Sequence, residues 1–123
     1  MRRFRALLCA AIVSLSAGAC GDGEVAVPDL PGDAAAGAAV YEQSCAGCHG
    51  ADGSGADAGP GLLVPEYSLP GFDDTALVTA VVKGVSADDG RYGGMPRIRG
   101  LSEQDLADLI AFVRGLQHEA GAG

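Results

Sequence analysis

The sequence predicts an all-α protein of three to four helices joined by long Gly-rich loops. Two observations carry that prediction. Three segments open with an acid or hydroxyl residue suited to capping a helix and continue in helix-forming residues, and the last sets its apolar residues at helical spacing. No strand-alternating run accompanies them, while 20 glycines interrupt the stretches between.

In chain order, residues 1–19 read as a secretory signal. Arg2, Arg3 and Arg5 precede a short apolar run, Ala6 to Val13, that contains Cys9 and ends at the small residues Ser16-Ala17-Gly18-Ala19. The run is too short to span a membrane. Ala17-Gly18-Ala19-Cys20 resembles a bacterial lipoprotein cleavage box, with Ala17 where leucine is usual. Cys20 is therefore expected to become a diacylated N-terminus, since two acyl chains give stable membrane attachment. Ordinary cleavage leaving a spare thiol is the alternative. Residues 20–32 then form a tether rich in acids and proline, a domain follows over 33–118, and 119–123 form a disordered tail.

Within the domain, Asp33 caps a helix running from Ala34 to Ser44. Residues 50–64 hold Gly50, Gly53, Gly55, Gly59, Pro60 and Gly61, which make regular structure improbable. Asp73 caps a second helix with Leu77, Val78, Val81 and Val82 on its apolar side and Gly84 as its stop. Ser102 opens the last helix, with Asp105 in an acidic variant of the capping box and one stripe formed by Leu106, Leu109, Ile110, Val113 and Leu116.

The chemistry sits at the end of the first helix. Cys45-Ala46-Gly47-Cys48-His49 is a c-type haem attachment motif. Each thiol can add across one porphyrin vinyl group, so two sulfurs at this spacing reach two points on the ring edge, and the adjacent imidazole becomes the proximal iron ligand. A redox dithiol would keep company with a βαβ pattern. A zinc site needs four ligands, and no second Cys-x-x-Cys or His pair supplies them. One covalent haem c per chain is expected, and its apolar mass completes a core that a domain of roughly 90 residues would struggle to fill alone.

From Asp33 to Leu116 the chain resembles the class I monohaem cytochromes c of bacteria. The haem motif is followed in order by Gly59-Pro60-Gly61-Leu62, similar to the family's Gly-Pro-x-Leu, by Gly93-Gly94-Met95-Pro96, like its Gly-Met-Pro, and by Leu106 to Val113, close to its closing helix. The resemblance implies a small cytochrome c fold wrapped around the haem. It implies Cys45 and Cys48 as covalent anchors, His49 as proximal ligand, Met95 as distal ligand, and the Pro60 carbonyl as acceptor for His49 Nδ1. Gly37 and Tyr41 match the positions where the family's first helix crosses the last, at Leu109 and Phe112. Pro60 read alone is a turn proline. His118, the one competing imidazole, is expected to be solvated at the end of the last helix.

Iron with both axial positions filled leaves little room for a substrate. The expected function is therefore one-electron transfer, cycling Fe(II) and Fe(III) for membrane-associated redox complexes. An electron-entry subunit of a larger dehydrogenase or reductase is the alternative, and a haem enzyme such as a peroxidase a more distant one, because no acid–base residues flank Met95. Loss of Arg2, Arg3 and Arg5 with the signal shifts the formal charge from −8 to −11, which disfavours nucleic acid and anionic lipid surfaces. Redox proteins are the expected partners of a monomer on the periplasmic side. Arg91, Arg97 and Arg99 flank Met95 and form a candidate docking rim, against the plainer reading of scattered surface arginines or a contact to a haem propionate.

Overall fold

A computed structural model describes residues 25–87 and 91–123. The expected signal, Cys20 and the first residues of the tether lie outside the described residues. Among these residues four helices follow one another: α1 (Ala34–Ser44), the one-turn α2 (Ala46–His49), α3 (Asp74–Lys83) and α4 (Glu103–Glu119), with a 3₁₀ turn at Pro65–Tyr67. Two isolated bridges, Ala56 to Gly59 and Val85 to Met95, are the extended pairings among the described residues.

The caps form as their residue types dictate. The Asp33 side chain accepts from the amides of Ala35 at 2.8 Å and Ala36 at 3.2 Å. Asp73 accepts from Ala76 N at 2.8 Å, and Gly84 ends α3 at φ 79°. At α4, Ser102 Oγ accepts from Asp105 N at 3.1 Å while Asp105 Oδ2 accepts from Ser102 N at 2.8 Å, closing the box reciprocally.

The scaffold is the crossing of α1 and α4. Alanine is the commonest residue of α1, and its buried residues are Gly37 and Tyr41, one turn apart. A Cβ at Gly37 would fall on the Asp108 carbonyl, so only glycine permits this approach. Tyr41 follows with its ring centroid 5.2 Å from that of Phe112, tilted at 52°. Val78 of α3 and Leu109 of α4 are fully buried in the same core, each stabilising the fold by about 1.5–3 kcal/mol.

Three expectations need correction. Val82 is exposed, because the buried positions of α3 are Leu77, Val78 and Val81, and the next residue turns outward. Residues 25–32 do not run free as a tether. Val25 and Val27 pack against the core, and the Pro31 carbonyl accepts from Gln104 Nε2 at 2.9 Å. Asp33 N then donates to Asp108 Oδ1 at 2.7 Å. Finally, α4 runs through Glu119, and the segment expected as a disordered tail folds back: Gly121 N bonds to His118 O at 3.1 Å and Ala122 N to Gln117 O at 2.9 Å. Gly121 at φ 70° supplies the left-handed turn this closure needs.

Candidate functional site

An apolar cleft of about 250 Å³ opens between α3, α4 and the loops. Its walls bring together residues far apart in sequence: Cys45 and His49 from the motif, Pro60 from the Gly-rich loop, and Met95 from the late loop. Tyr67 and Phe72 add aromatic wall, with ring centroids 5.6 Å apart at 88°.

The chain breaks between α1 and α2 at Cys45 (φ −125°, ψ −38°), which starts the short helix that turns His49 inward. His49 is buried, and its Nδ1 lies 2.8 Å from Pro60 O. A carbonyl can only accept, so Nδ1 carries a ring proton, and in the neutral ring Nε2 keeps its lone pair. That is the tautomer a metal-binding imidazole requires. The loop reaches His49 because Gly59 packs on Cys48, where a Cβ would meet the Cys48 carbonyl oxygen at 2.8 Å.

Cys45 is buried on the cleft wall, and Cys48 is exposed and outside it. Burial, with a smaller contribution from Cys48, pushes the Cys45 thiol up to about 11. The unmodified group is therefore protonated at neutral pH. Tyr41 closes the floor, its hydroxyl donating to Gly50 O at 2.8 Å. Burial first, then Cys45 and Asp52, push it to about 12.

Met95 is half-buried in the cleft, and its backbone is fixed by a bond from Val85 N to Met95 O at 2.9 Å. Arg91, Arg97 and Arg99 are exposed, Arg91 lying 5.5 Å over the Tyr92 ring. Arg97 and Arg99 border a second groove beside Val82 and Leu101. His118 is exposed and does not line the cleft.

The Cytochrome c family model matches residues 34–117, most of the chain. The chain belongs to the cytochrome c family. This cytochrome c is 35% identical over 97 residues to cytochrome c-554(547) of Halothiobacillus neapolitanus, a match covering 70% of this chain and 99% of that one. It is 36% identical over 94 residues to the Cbb3-type cytochrome c oxidase subunit CcoP of Cereibacter sphaeroides, covering 69% of this chain and 32% of that subunit. It is 33% identical over 100 residues to the gluconate 2-dehydrogenase cytochrome c subunit of Pantoea cypripedii, covering 68% of this chain and 20% of that one. As a cytochrome c, the protein uses covalent haem c to carry electrons.

The residues present fit that cofactor. The cleft is largely apolar, and the buried polar side chain of His49 presents a bare ring nitrogen, with a soft thioether from Met95 in the same cavity. Sequence reading missed Gln117, which is buried and also lines the cleft. One signal could have found it: Gln117 stands four residues after Val113 and eight after Leu109, a polar residue on the buried stripe.

Proposed function

We propose that this cytochrome c is a one-electron carrier whose haem is held by thioether bonds to Cys45 and Cys48. His49 would hold the iron through Nε2, and Met95 would supply the second protein ligand. The observation that carries the reading is the convergence of His49, oriented by Pro60, and Met95 on one apolar cleft. When bound, the haem supplies a metal centre that gains or loses one electron. The chain's own residues do the rest. The His49–Pro60 bond fixes the orientation of the imidazole ring, leaving Nε2 to face the cofactor. The thioether of Met95 favours the ferrous state, and the apolar wall of Leu77, Val81, Leu109 and Val113 excludes water.

The test is direct. Haem should stay with the protein through acid–organic extraction, at one iron per chain. Met95→Ala should lower the reduction potential and let the ferrous protein bind carbon monoxide. Haem recovered in the organic phase would end the covalent reading, and an unchanged Met95→Ala variant would remove Met95 as ligand and bring His118 forward.

A free carrier is the preferred arrangement, supported by the near-complete coverage of the Halothiobacillus cytochrome. The two subunit relatives support a second arrangement, a chain serving as the electron-entry part of a larger membrane-associated oxidoreductase. Copurification with a large catalytic subunit distinguishes them. Among the described residues no helix is long and apolar enough to cross a membrane. Export by the signal in residues 1–19 and acylation of Cys20 account for placement at a membrane. Native protein beginning at Cys20 and carrying lipid mass is the expected result; an unlipidated chain beginning elsewhere would exclude the anchor.

A further inference from the structure

The cleft wall contains a buried polar residue, Gln117, backed by Arg114, and neither the thiols nor the axial residues use this pair. Arg114 and Gln117 stand one turn apart near the end of α4. Gln117 is 2% exposed, and its Nε2 donates to Leu62 O at 2.9 Å and Tyr67 O at 2.8 Å. Its Oε1 accepts from Arg114 Nη1 at 2.7 Å. Arg114 in turn donates through Nη2 to Phe72 O at 2.6 Å, through Nη1 to Tyr67 O at 3.3 Å, and through Nε to Asp74 Oδ1 at 2.9 Å. Two side chains thus take the carbonyls of Leu62, Tyr67 and Phe72, the loop whose aromatic rings face the cleft.

The charges are arranged unequally. The Arg114 side chain is 15% exposed and lies one hydrogen bond behind a wall residue, whereas its counter-charge Asp74 is 41% exposed. Water screens the more exposed carboxylate more effectively, so the cleft feels a net positive bias. A cation beside a redox centre favours the state with one more electron.

We propose that Arg114, working through Gln117, is a positioning residue for electron transfer: the pair locks the Leu62–Phe72 loop against the cofactor, and the Arg114 charge, incompletely cancelled by Asp74, biases the centre toward its reduced form. The inference rests on the haem occupying this cleft. A bridge that merely holds the loop would behave differently, because loosening from either side would then move the potential the same way.

The experiment compares the haem-loaded wild type with Asp74→Asn, Arg114→Lys and Arg114→Met. Each protein is first checked by intact mass for one covalent haem, then titrated spectroelectrochemically and melted. Asp74→Asn should raise the midpoint potential and Arg114→Met should lower it. Each should change the ratio of reduced to oxidised protein at fixed ambient potential by roughly threefold to tenfold, the scale of one screened charge near a low-dielectric site. Arg114→Lys keeps the charge but loses the fork, so its potential should stay near wild type while its melting temperature falls. Shifts of the same sign in Asp74→Asn and Arg114→Met, or no shift in Asp74→Asn, would overturn the inference. If Arg114→Met does not fold, Asp74→Asn and Arg114→Lys still decide it. A wild type lacking covalent haem would instead overturn the underlying cofactor reading.

Discussion

His49 Nδ1 donates to the Pro60 carbonyl oxygen across 2.8 Å, and the glycines on either side of Pro60 pack against neighbouring backbone. Pro60 stands between two glycines pressed onto neighbouring chain. A Cβ at Gly59 would meet Cys48 O at 2.8 Å, and one at Gly61 would meet Ser54 O at 2.6 Å. The ring orientation that frees Nε2 is therefore a property of the glycine contacts on either side of the acceptor.

This arrangement ranks two substitutions. Pro60→Ala keeps the carbonyl and removes only rigidity, an effect of about 0.4–1 kcal/mol. Gly59→Ala must push the loop away from Cys48 and should cost about 1–3 kcal/mol, as overpacking against fixed backbone does. Denaturant unfolding of the haem-loaded variants gives the ranking. Gly59→Ala should also shift the reduction potential more than Pro60→Ala, because it moves the acceptor. Equal, small effects would show that the loop adjusts freely.

The helix crossing yields a second pair. Gly37→Ala would set a methyl group on the Asp108 carbonyl and a neighbouring contact of 2.9 Å on Phe112 Cβ. It should destabilise the fold by about 1–3 kcal/mol. Gly115 lies within α4, and a Cβ there would meet nothing within 4 Å. Gly115→Ala should therefore stabilise by up to about 1 kcal/mol through helix propensity. Urea midpoints of the two variants should move in opposite directions. A neutral Gly37→Ala would mean that the terminal helices can separate without loss.

The helices are legible in the sequence because their ends are local: Asp33, Asp73 and the Ser102–Asp105 box lie within a few residues of the amides they satisfy. The attachment motif is legible for the same reason. What the sequence does not reveal depends on distant partners. Arg114 and Gln117 look like ordinary polar residues near a helix end until the loop carbonyls of Leu62, Tyr67 and Phe72 are placed beside them. Val25 and Val27 give no signal inside an acidic, proline-containing stretch, because two valines set no periodicity. Their packing becomes visible only once the core offers a surface.

The capping box gives a pH prediction. Hydrogen bonds from the Ser102 hydroxyl and then its amide hold the Asp105 carboxyl below the usual carboxylate range. A depressed folded-state value means that the unfolded chain binds the proton more readily. The stabilising contribution is therefore fully present above roughly pH 4, the ordinary carboxylate range, and fades as pH falls through the folded value. Ser102→Ala should lower stability clearly at neutral pH, and the gap from wild type should narrow in acid. Melting curves across that range check the sign. A gap that widens on acidification would contradict it.

The last prediction concerns encounter with a redox partner. Arg97 and Arg99 are exposed on the segment that carries Met95. That segment is pinned to the end of α3: Ile98 N bonds to Val81 O at 2.8 Å, and a Cβ at Gly84 would meet Arg97 N at 2.9 Å. The backbone carrying the arginines is therefore held in place, with Arg97 and Arg99 on the groove beside Val82 and Leu101, on a chain of formal charge −8. If these arginines act as a positive rim on an acidic molecule, they would orient an acidic partner toward the haem side, while the surrounding carboxylates would oppose other approaches. Such steering acts mainly on association rate and weakens as salt shortens the Debye length to roughly 8–10 Å. Reversing both residues, Arg97→Glu with Arg99→Glu, should slow bimolecular electron exchange at low ionic strength by roughly tenfold or more while leaving the potential nearly unchanged. The difference should shrink in high salt. Stopped-flow rates across a salt series supply the measurement. Equal rates for variant and wild type with its redox partners would show that the arginines do not steer docking, and a shifted potential would place them on a haem propionate instead.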